Sequence, residues 1–202
     1  MFTELDVVNA CLATLGELPL VELTDEHPMV AAARVNLTEA IVSEMHRQWW
    51  FNTDYVHLAA TEEGYIYAPA DAVAVKVANC TNLTLRGRRL YDRYQSTYEL
   101  GLDAVDAVVI RNIPFEDLPG MAQILVKDAA VLQFQINYDA DSTKTQQLQT
   151  KYANSYRLLN AEHTRQIAAN QLENQGVAVA RMNAGVRPRR NRPYGANTIR
   201  TR

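Results

Sequence analysis

The stretch Phe115 to Asp141, FEDLPGMAQILVKDAAVLQFQINYDAD, limits the possible folds more than any other part of the chain, because a helical projection places apolar residues on every side of it. Met121, Leu125, Leu132 and Ile136 form one stripe, and Ile124, Val126, Val131 and Phe134 fill the other faces. A helix that is apolar all round is stable only when buried, so this one is expected to be the core helix of the fold. The spacing predicts a helix over 118–137. Asp117 would cap its free N–H groups, Pro119 would sit in the first turn where no N–H is needed, and Glu116 and Asp117 would suit the positive end of the dipole. A membrane span is a poor match, since Pro119 to Ile136 contains Lys127 and Asp128 and falls short of the roughly 20 apolar residues a bilayer requires.

Other segments must supply the partners for that helix. Thr3 to Leu15 reads as a short amphipathic helix, with Thr3 and Asp6 spaced as a capping box, and Gly16 stops it. A second helix is predicted from about Glu26 to Gln48, capped by Thr24 or Asp25 with Pro28 in its first turn. It runs into Arg47-Gln48-Trp49-Trp50-Phe51-Asn52, which holds both tryptophans of the chain. Trp49, Trp50 and Phe51 are read as a structural anchor pinning the helix to the next segment of the chain. The rival reading, a base-stacking platform, lacks the surrounding arginines such a groove needs.

Between Asp54 and Arg111 the apolar period changes from helical to alternating. Strands are expected at 55–58, 73–77, 83–86, 89–91, 97–100 and 105–110 as an antiparallel meander, with Arg86-Gly87-Arg88-Arg89 at a hairpin tip. This segment carries Tyr65, Tyr67, Tyr91 and Tyr94, residues suited to half-buried or partner-facing surfaces. After the core helix, a short turn at Asn137–Asp141 forces an antiparallel neighbour, predicted from Ser142 to about Glu173 with Asp141 or Ser142 as cap. Its only apolar stripe is Leu148, Tyr152, Tyr156, Leu159 and Ile167, and glutamine, asparagine and threonine crowd the other faces. Such a helix packs on one side and meets polar partners on the other.

The fold class is therefore α+β, mainly α: an antiparallel helix bundle with an inserted small antiparallel β meander and an extended C-terminal arm. The expected divisions are N-terminal bundle helices over 1–53, a β-rich insert over 54–111, a C-terminal helical hairpin over 112–175 and a basic arm over 176–202. Of 20 basic and 23 acidic residues, seven arginines and no acid lie within Arg181–Arg202, which leaves residues 1–180 at a net −10. An acidic body thus carries a basic arm.

The residues offer no motif for catalysis. His27, His46, His57 and His163 fall on different elements, Cys11 and Cys80 lack a CxxC or a histidine at metal spacing, and GxSxG, HExxH and glycine-rich phosphate loops are missing. The expectation is a non-enzyme with no cofactor and no metal. The N-terminus lacks a basic stretch followed by an apolar run, so synthesis without secretion is expected.

The order of helix, helix ending in Arg47-Gln48-Trp49-Trp50-Phe51-Asn52, tyrosine-rich strands, Arg89-Leu90-Tyr91-Asp92-Arg93, then Phe115-Glu116-Asp117-Leu118-Pro119 before an apolar helix with Ala129-Ala130 and Phe134, resembles the tail tubular protein A family. These are head-to-tail adaptors of short-tailed bacteriophages of the podovirus type. The resemblance covers residues 3 to 172; the arginine-rich end departs from it. It implies a virion tail protein made in the host cytoplasm, forming a homo-oligomeric ring of twelve copies. That ring would bind the portal protein, continue the DNA channel into a nozzle of tail tubular protein B, and serve in DNA ejection, with tail fibres attached nearby and no membrane insertion. In that setting Tyr65, Tyr67, Tyr91 and Tyr94 become ring or nozzle contacts. Arg187, Arg189, Arg190, Arg192, Tyr194, Arg200 and Arg202 become a portal-binding arm, bonded to carboxylates through the guanidiniums. Two alternatives remain open at this point: a nucleic-acid-binding accessory protein that uses the basic arm, and a metal-free enzyme.

Overall fold

The computed structural model describes residues 1–23, 27–78, 80–139 and 141–167. Met1–Thr164 forms one unit, and the basic arm lies outside the described residues. Among the described residues, four α-helices and five strands come in the order α1 (Glu4–Thr14), α2 (Pro28–Met45), β1 (Thr53–Ala59), β2 (Ala72–Val77), β3 (Leu83–Arg86), β4 (Arg89–Asp92), β5 (Ala104–Arg111), α3 (Gly120–Tyr138) and α4 (Ser142–Gln166). The class is α+β.

Helix α1 begins as its sequence dictates. The Thr3 hydroxyl accepts from the Asp6 N–H, and the Asp6 carboxylate accepts from the Thr3 N–H at 2.8 Å, a reciprocal capping box. Those bonds hold the Asp6 carboxyl below its usual range, the backbone bond from Thr3 contributing most. Gly16, at φ +78°, takes the left-handed turn that releases the chain from the helix. Val7, Val8, Cys11 and Leu12 are buried, and burial pushes the Cys11 thiol up to about 12.

Three expected helix boundaries move, each for a local reason. Helix α2 is capped by His27, whose Nδ1 accepts from the Met29 N–H at 3.2 Å ahead of Pro28; Thr24 and Asp25 lie outside the described residues. It stops at Met45 rather than Gln48, because the Asn52 side chain takes the Met45 and Arg47 carbonyls and turns the chain. Helix α3 starts at Gly120 with Pro119 as N-cap, so Asp117 does not cap it. A residue before proline is kept out of the helical region, and Leu118 accordingly sits at ψ 145°, while Phe115–Asp117 winds separately into a 3-10 turn.

The buried face of α3 is also rotated from the expected stripe. Ala122, Leu125, Val126, Ala130, Val131 and Phe134 are buried, Met121 and Leu132 are half-buried, and Ile136 is 47% exposed. α3 packs against α1 and α2, so its buried face is set by those neighbours rather than by its most hydrophobic line. Three polar side chains go inside with it and are bonded. Gln123 accepts from the Phe2 N–H at 3.1 Å and donates to the Phe115 carbonyl, tying the N-terminus to the 3-10 turn. Asp128 receives the Ser155 hydroxyl at 2.5 Å and pairs with Lys151 at 3.1 Å. Gln135 donates to Asp139 at 2.8 Å.

The strands are antiparallel but are not a meander. β5 lies between β1 and β2 in a three-stranded sheet, and β3 and β4 form a separate hairpin. β5 takes the central place as the longest strand, with Val105, Ala107 and Val109 buried. One face of the sheet closes with the hairpin over Leu58, Ile66, Val77, Leu83, Leu90, Val105 and Ala107. The strand expected at 97–100 is absent, and Thr97 makes a single bridge to Asp92. Asp92 Oδ1 accepts the Tyr94 and Gln95 N–H groups, closing a turn where an extended pair would have formed.

Candidate functional site

At the C-terminal end of α2 the chain leaves a helix for a sheet, and Asn52 governs that change. It is buried, its Oδ1 accepts from the Trp49 N–H at 2.9 Å and its Nδ2 donates to two carbonyls of the preceding turn. Trp49 is thereby turned inward, 3% exposed, with its indole N–H donating to the Glu44 carbonyl at 3.1 Å. Phe51 stacks on it with ring centres 6.4 Å apart, while Tyr156 and His163 meet it edge-on at 6.0 and 5.5 Å. A ring so enclosed has no face for a nucleobase. Trp50 packs edge-to-face on Phe51 at 4.9 Å, and its backbone N–H donates to His163 Nδ1 at 3.2 Å.

The same elbow clasps α4 electrostatically. Glu44 is buried, accepts the Tyr152 hydroxyl at 2.7 Å and pairs with Arg47 at 3.1 Å, and the Arg47 guanidinium lies 4.7 Å from the Tyr156 ring centre. Burial first, and the bond to Glu44 second, push the Tyr152 phenol up to about 12. The inner line of α4 is therefore Leu148, Tyr152, Ser155, Tyr156, Leu159 and His163, and Ile167 of the expected stripe is exposed. Gln146, Gln147, Gln149, Asn154 and Asn160 face outward. The helix thus attaches along one line and leaves a polar face available to another protein.

A second surface lies on the β3–β4 hairpin. Gly87, at φ +61°, makes its tip, and Arg86 lies over the Tyr91 ring at 3.7 Å. Arg89 lies 4.5 Å from the Tyr98 ring centre and 5.4 Å from that of Tyr65, and Tyr91 and Tyr98 meet edge-to-face at 4.9 Å. The result is a ladder of alternating guanidinium and phenol groups. Stacking fixes each guanidinium plane and leaves its N–H edge free to bond an anion. Tyr65 and Tyr91 belong to this ladder, whereas Tyr67 and Tyr94 are exposed beside it. From the sequence alone this basic knot is a plain hairpin tip, because pairing of Arg86 and Arg89 with Tyr91 and Tyr98 depends on the turn at 93–96.

The open face of the sheet shows Tyr55, 83% exposed, next to the His57–Asp106 pair at 2.8 Å. Arg111 anchors the sheet's far end to Asp54 at 2.5 Å and Asp71 at 2.9 Å, and its bonds draw the Asp71 carboxyl below the usual range. Among the described residues no group of three or more histidine, cysteine or acidic side chains is placed to hold a metal ion. Among the same residues no helix is long and apolar enough to cross a membrane. Arg187, Arg189, Arg190, Arg192, Tyr194, Arg200 and Arg202 fall outside the described residues. Asn52, Glu44 and His163 do not stand out in the sequence; the available signal is His163 lying seven residues beyond Tyr156 on the same helical line.

Outward amide side chains on one helix and guanidinium–phenol pairs on a hairpin are chemistry of the kind that protein interfaces use. Tail tubular protein A of Klebsiella phage KP34 is 27% identical over 135 residues, which cover 66% of this chain and 72% of that protein. The family described as tail tubular protein matches residues 5–187, taking in both helical segments, the β unit and the start of the arginine-rich end. A match of that extent, on a fold with an outward polar helix and an arginine–tyrosine surface, means that the chain belongs to the tail tubular protein family of bacteriophage tail structural proteins.

Proposed function

We propose that this tail protein is a head-to-tail adaptor. Copies of it form a closed ring, twelve in number if it follows the resemblance, between the portal protein and a nozzle of tail tubular protein B, with fibres attached nearby. The DNA channel runs through that ring, and surplus acids of the body facing the lumen repel passing phosphates rather than hold them. The observation that carries the reading is α4: a helix of 25 residues whose polar outer face exceeds what its own fold uses, in a family of tail components. Cryo-electron microscopy of the assembled tail tests it. A ring of this chain on the tail axis is the expected result, and one copy off the axis would sink the adaptor reading.

The basic arm is proposed to dock on the portal. Seven arginines without an acid in Arg181–Arg202 suit a carboxylate-lined groove, and many copies acting together make modest individual contacts sufficient. Deleting residues 181–202 is expected to leave the melting transition of the body unchanged and to abolish attachment to DNA-filled heads. Normal attachment by the truncated protein refutes the arm's role. Loss of salt-sensitive duplex DNA binding, with attachment intact, supports the nucleic-acid reading instead.

A further inference from the structure

The arginine–tyrosine ladder has no acid of its own. Among the described residues, Arg86, Arg88 and Arg89 form no ion pair, and the one carboxylate within the hairpin, Asp92, is spent on the Tyr94 and Gln95 N–H groups and on Asn82 at 2.7 Å. Three guanidiniums on one short hairpin, two of them held over phenol rings and the third donating to the Ala68 carbonyl, form a concentrated positive surface that a carboxylate-bearing partner would complement. The partner is better matched by protein than by nucleic acid. Bases stack on free aromatic faces, and here Arg86 and Arg89 already lie over the rings of Tyr91 and Tyr98. Arginine and tyrosine are also the side chains that protein interfaces concentrate.

The complementary surface stands on the same β unit. The loop after β1 is closed by the Gly64 N–H donating to the Thr61 carbonyl at 2.9 Å, and it presents Glu62 and Glu63 to solvent. The Ala60 N–H donates to the Asp103 carbonyl at 2.7 Å, which ties that loop to exposed Asp103 ahead of β5. None of these three acids forms an ion pair among the described residues either. One unit thus exposes a basic patch and an acidic patch, and although the segment after the acidic loop runs beside the hairpin through the Tyr67–Arg89 bridge, no ion pair among the described residues joins the two within the chain.

We infer that the occupant of the arginine hairpin is a second copy of this chain: Arg86, Arg88 and Arg89 of one copy meet Glu62, Glu63 and Asp103 of the next. This rests on the ring proposed above and identifies the contact between neighbours. A heterologous contact of this kind generates a ring when the rotation it repeats is one that closes.

Charge exchange tests it in full-length protein, with phage carrying the variants and the number of copies per purified tail as the readout. Arg86→Glu with Arg88→Glu, or Glu62→Arg with Glu63→Arg, each places like charges across the contact and is expected to lower incorporation about tenfold. All four changes in one chain restore opposite charges and should recover incorporation to within about threefold of the parent. Arg88→Glu combined with Glu63→Arg repeats the test without disturbing the Arg86–Tyr91 stack. Incorporation unchanged by either reversal overturns the inference while leaving the ring intact. So does a combined variant no better than its parents, which would show that the hairpin meets DNA or a different tail protein. A parent tail holding one copy removes the ring and this contact together.

Discussion

Replacing Leu159 with alanine isolates what holds α4 to the rest of the fold. Leu159 is the one apolar side chain of that helix that is fully enclosed, in a cluster that also contains Leu37, Met45, Leu118 and Leu125. Its neighbour Leu158 is 51% exposed. Removing a buried leucine side chain costs about 2–5 kcal/mol, the lost transfer energy plus the cavity left behind. About 3 kcal/mol is a large share of a stability of about 5–15 kcal/mol, and for a chain of this size it lowers Tm by about 6–12 °C. Leu158→Ala should stay within about 0.5 kcal/mol of the parent. Circular dichroism melts of the two variants give the comparison. Tryptophan fluorescence locates the damage, because both tryptophans sit at the elbow in the same cluster as Leu159 and pack on Phe51, with Trp49 also meeting Tyr156. Equal melting temperatures for the two variants, or a loss below about 1 kcal/mol for Leu159→Ala, would refute the view that this residue seats the helix.

Leu125→Asp is expected to prevent folding, since it buries an unpaired charge, whereas Ile136→Asp on the exposed edge of α3 should give soluble protein that melts within a few degrees of the parent, as calorimetry would show. The Tyr152 phenol and Cys11 thiol are both raised to about 12, so the stability linked to their neutral forms is complete below pH values of about 10 and 9 and is lost as pH rises toward 12. Tyr152→Phe should flatten the alkaline limb of a Tm–pH profile, and an unchanged limb would count against the buried Glu44–Tyr152 bond. Asp71, Asp6 and Asp139 have lowered pKa values, so their contribution is present above about pH 4 and is lost as pH falls through those values. Arg111→Gln should reduce the acid-side fall in Tm, and an identical acid limb would show that the Asp71 pair contributes nothing.

Local rules written in a few adjacent residues were legible from the chain alone. The Thr3–Asp6 box, the Gly16 stop, the Gly87 tip, the Asp141 cap of α4 and the narrow line Leu148, Tyr152, Tyr156 and Leu159 all depend on spacing within one or two turns. So did the resemblance to tail tubular protein A, which rests on the order of such elements. Other features depended on which surfaces meet. Sequence spacing alone cannot tell which line of an all-round apolar helix turns inward, and α1 and α2 decided it in favour of Ala122, Leu125, Val126 and Phe134, leaving Ile136 outside. Strand order is likewise a long-range matter: β5 became central by pairing with two strands far behind it in the chain. The Glu44–Tyr152 bond joins residues 108 positions apart and the Trp50–His163 bond residues 113 apart, so no local pattern contains them. Short-range hydrogen bonding and apolar period are properties of the sequence, whereas buried polar partners and the stacking of arginine on tyrosine exist only once the chain has folded back on itself.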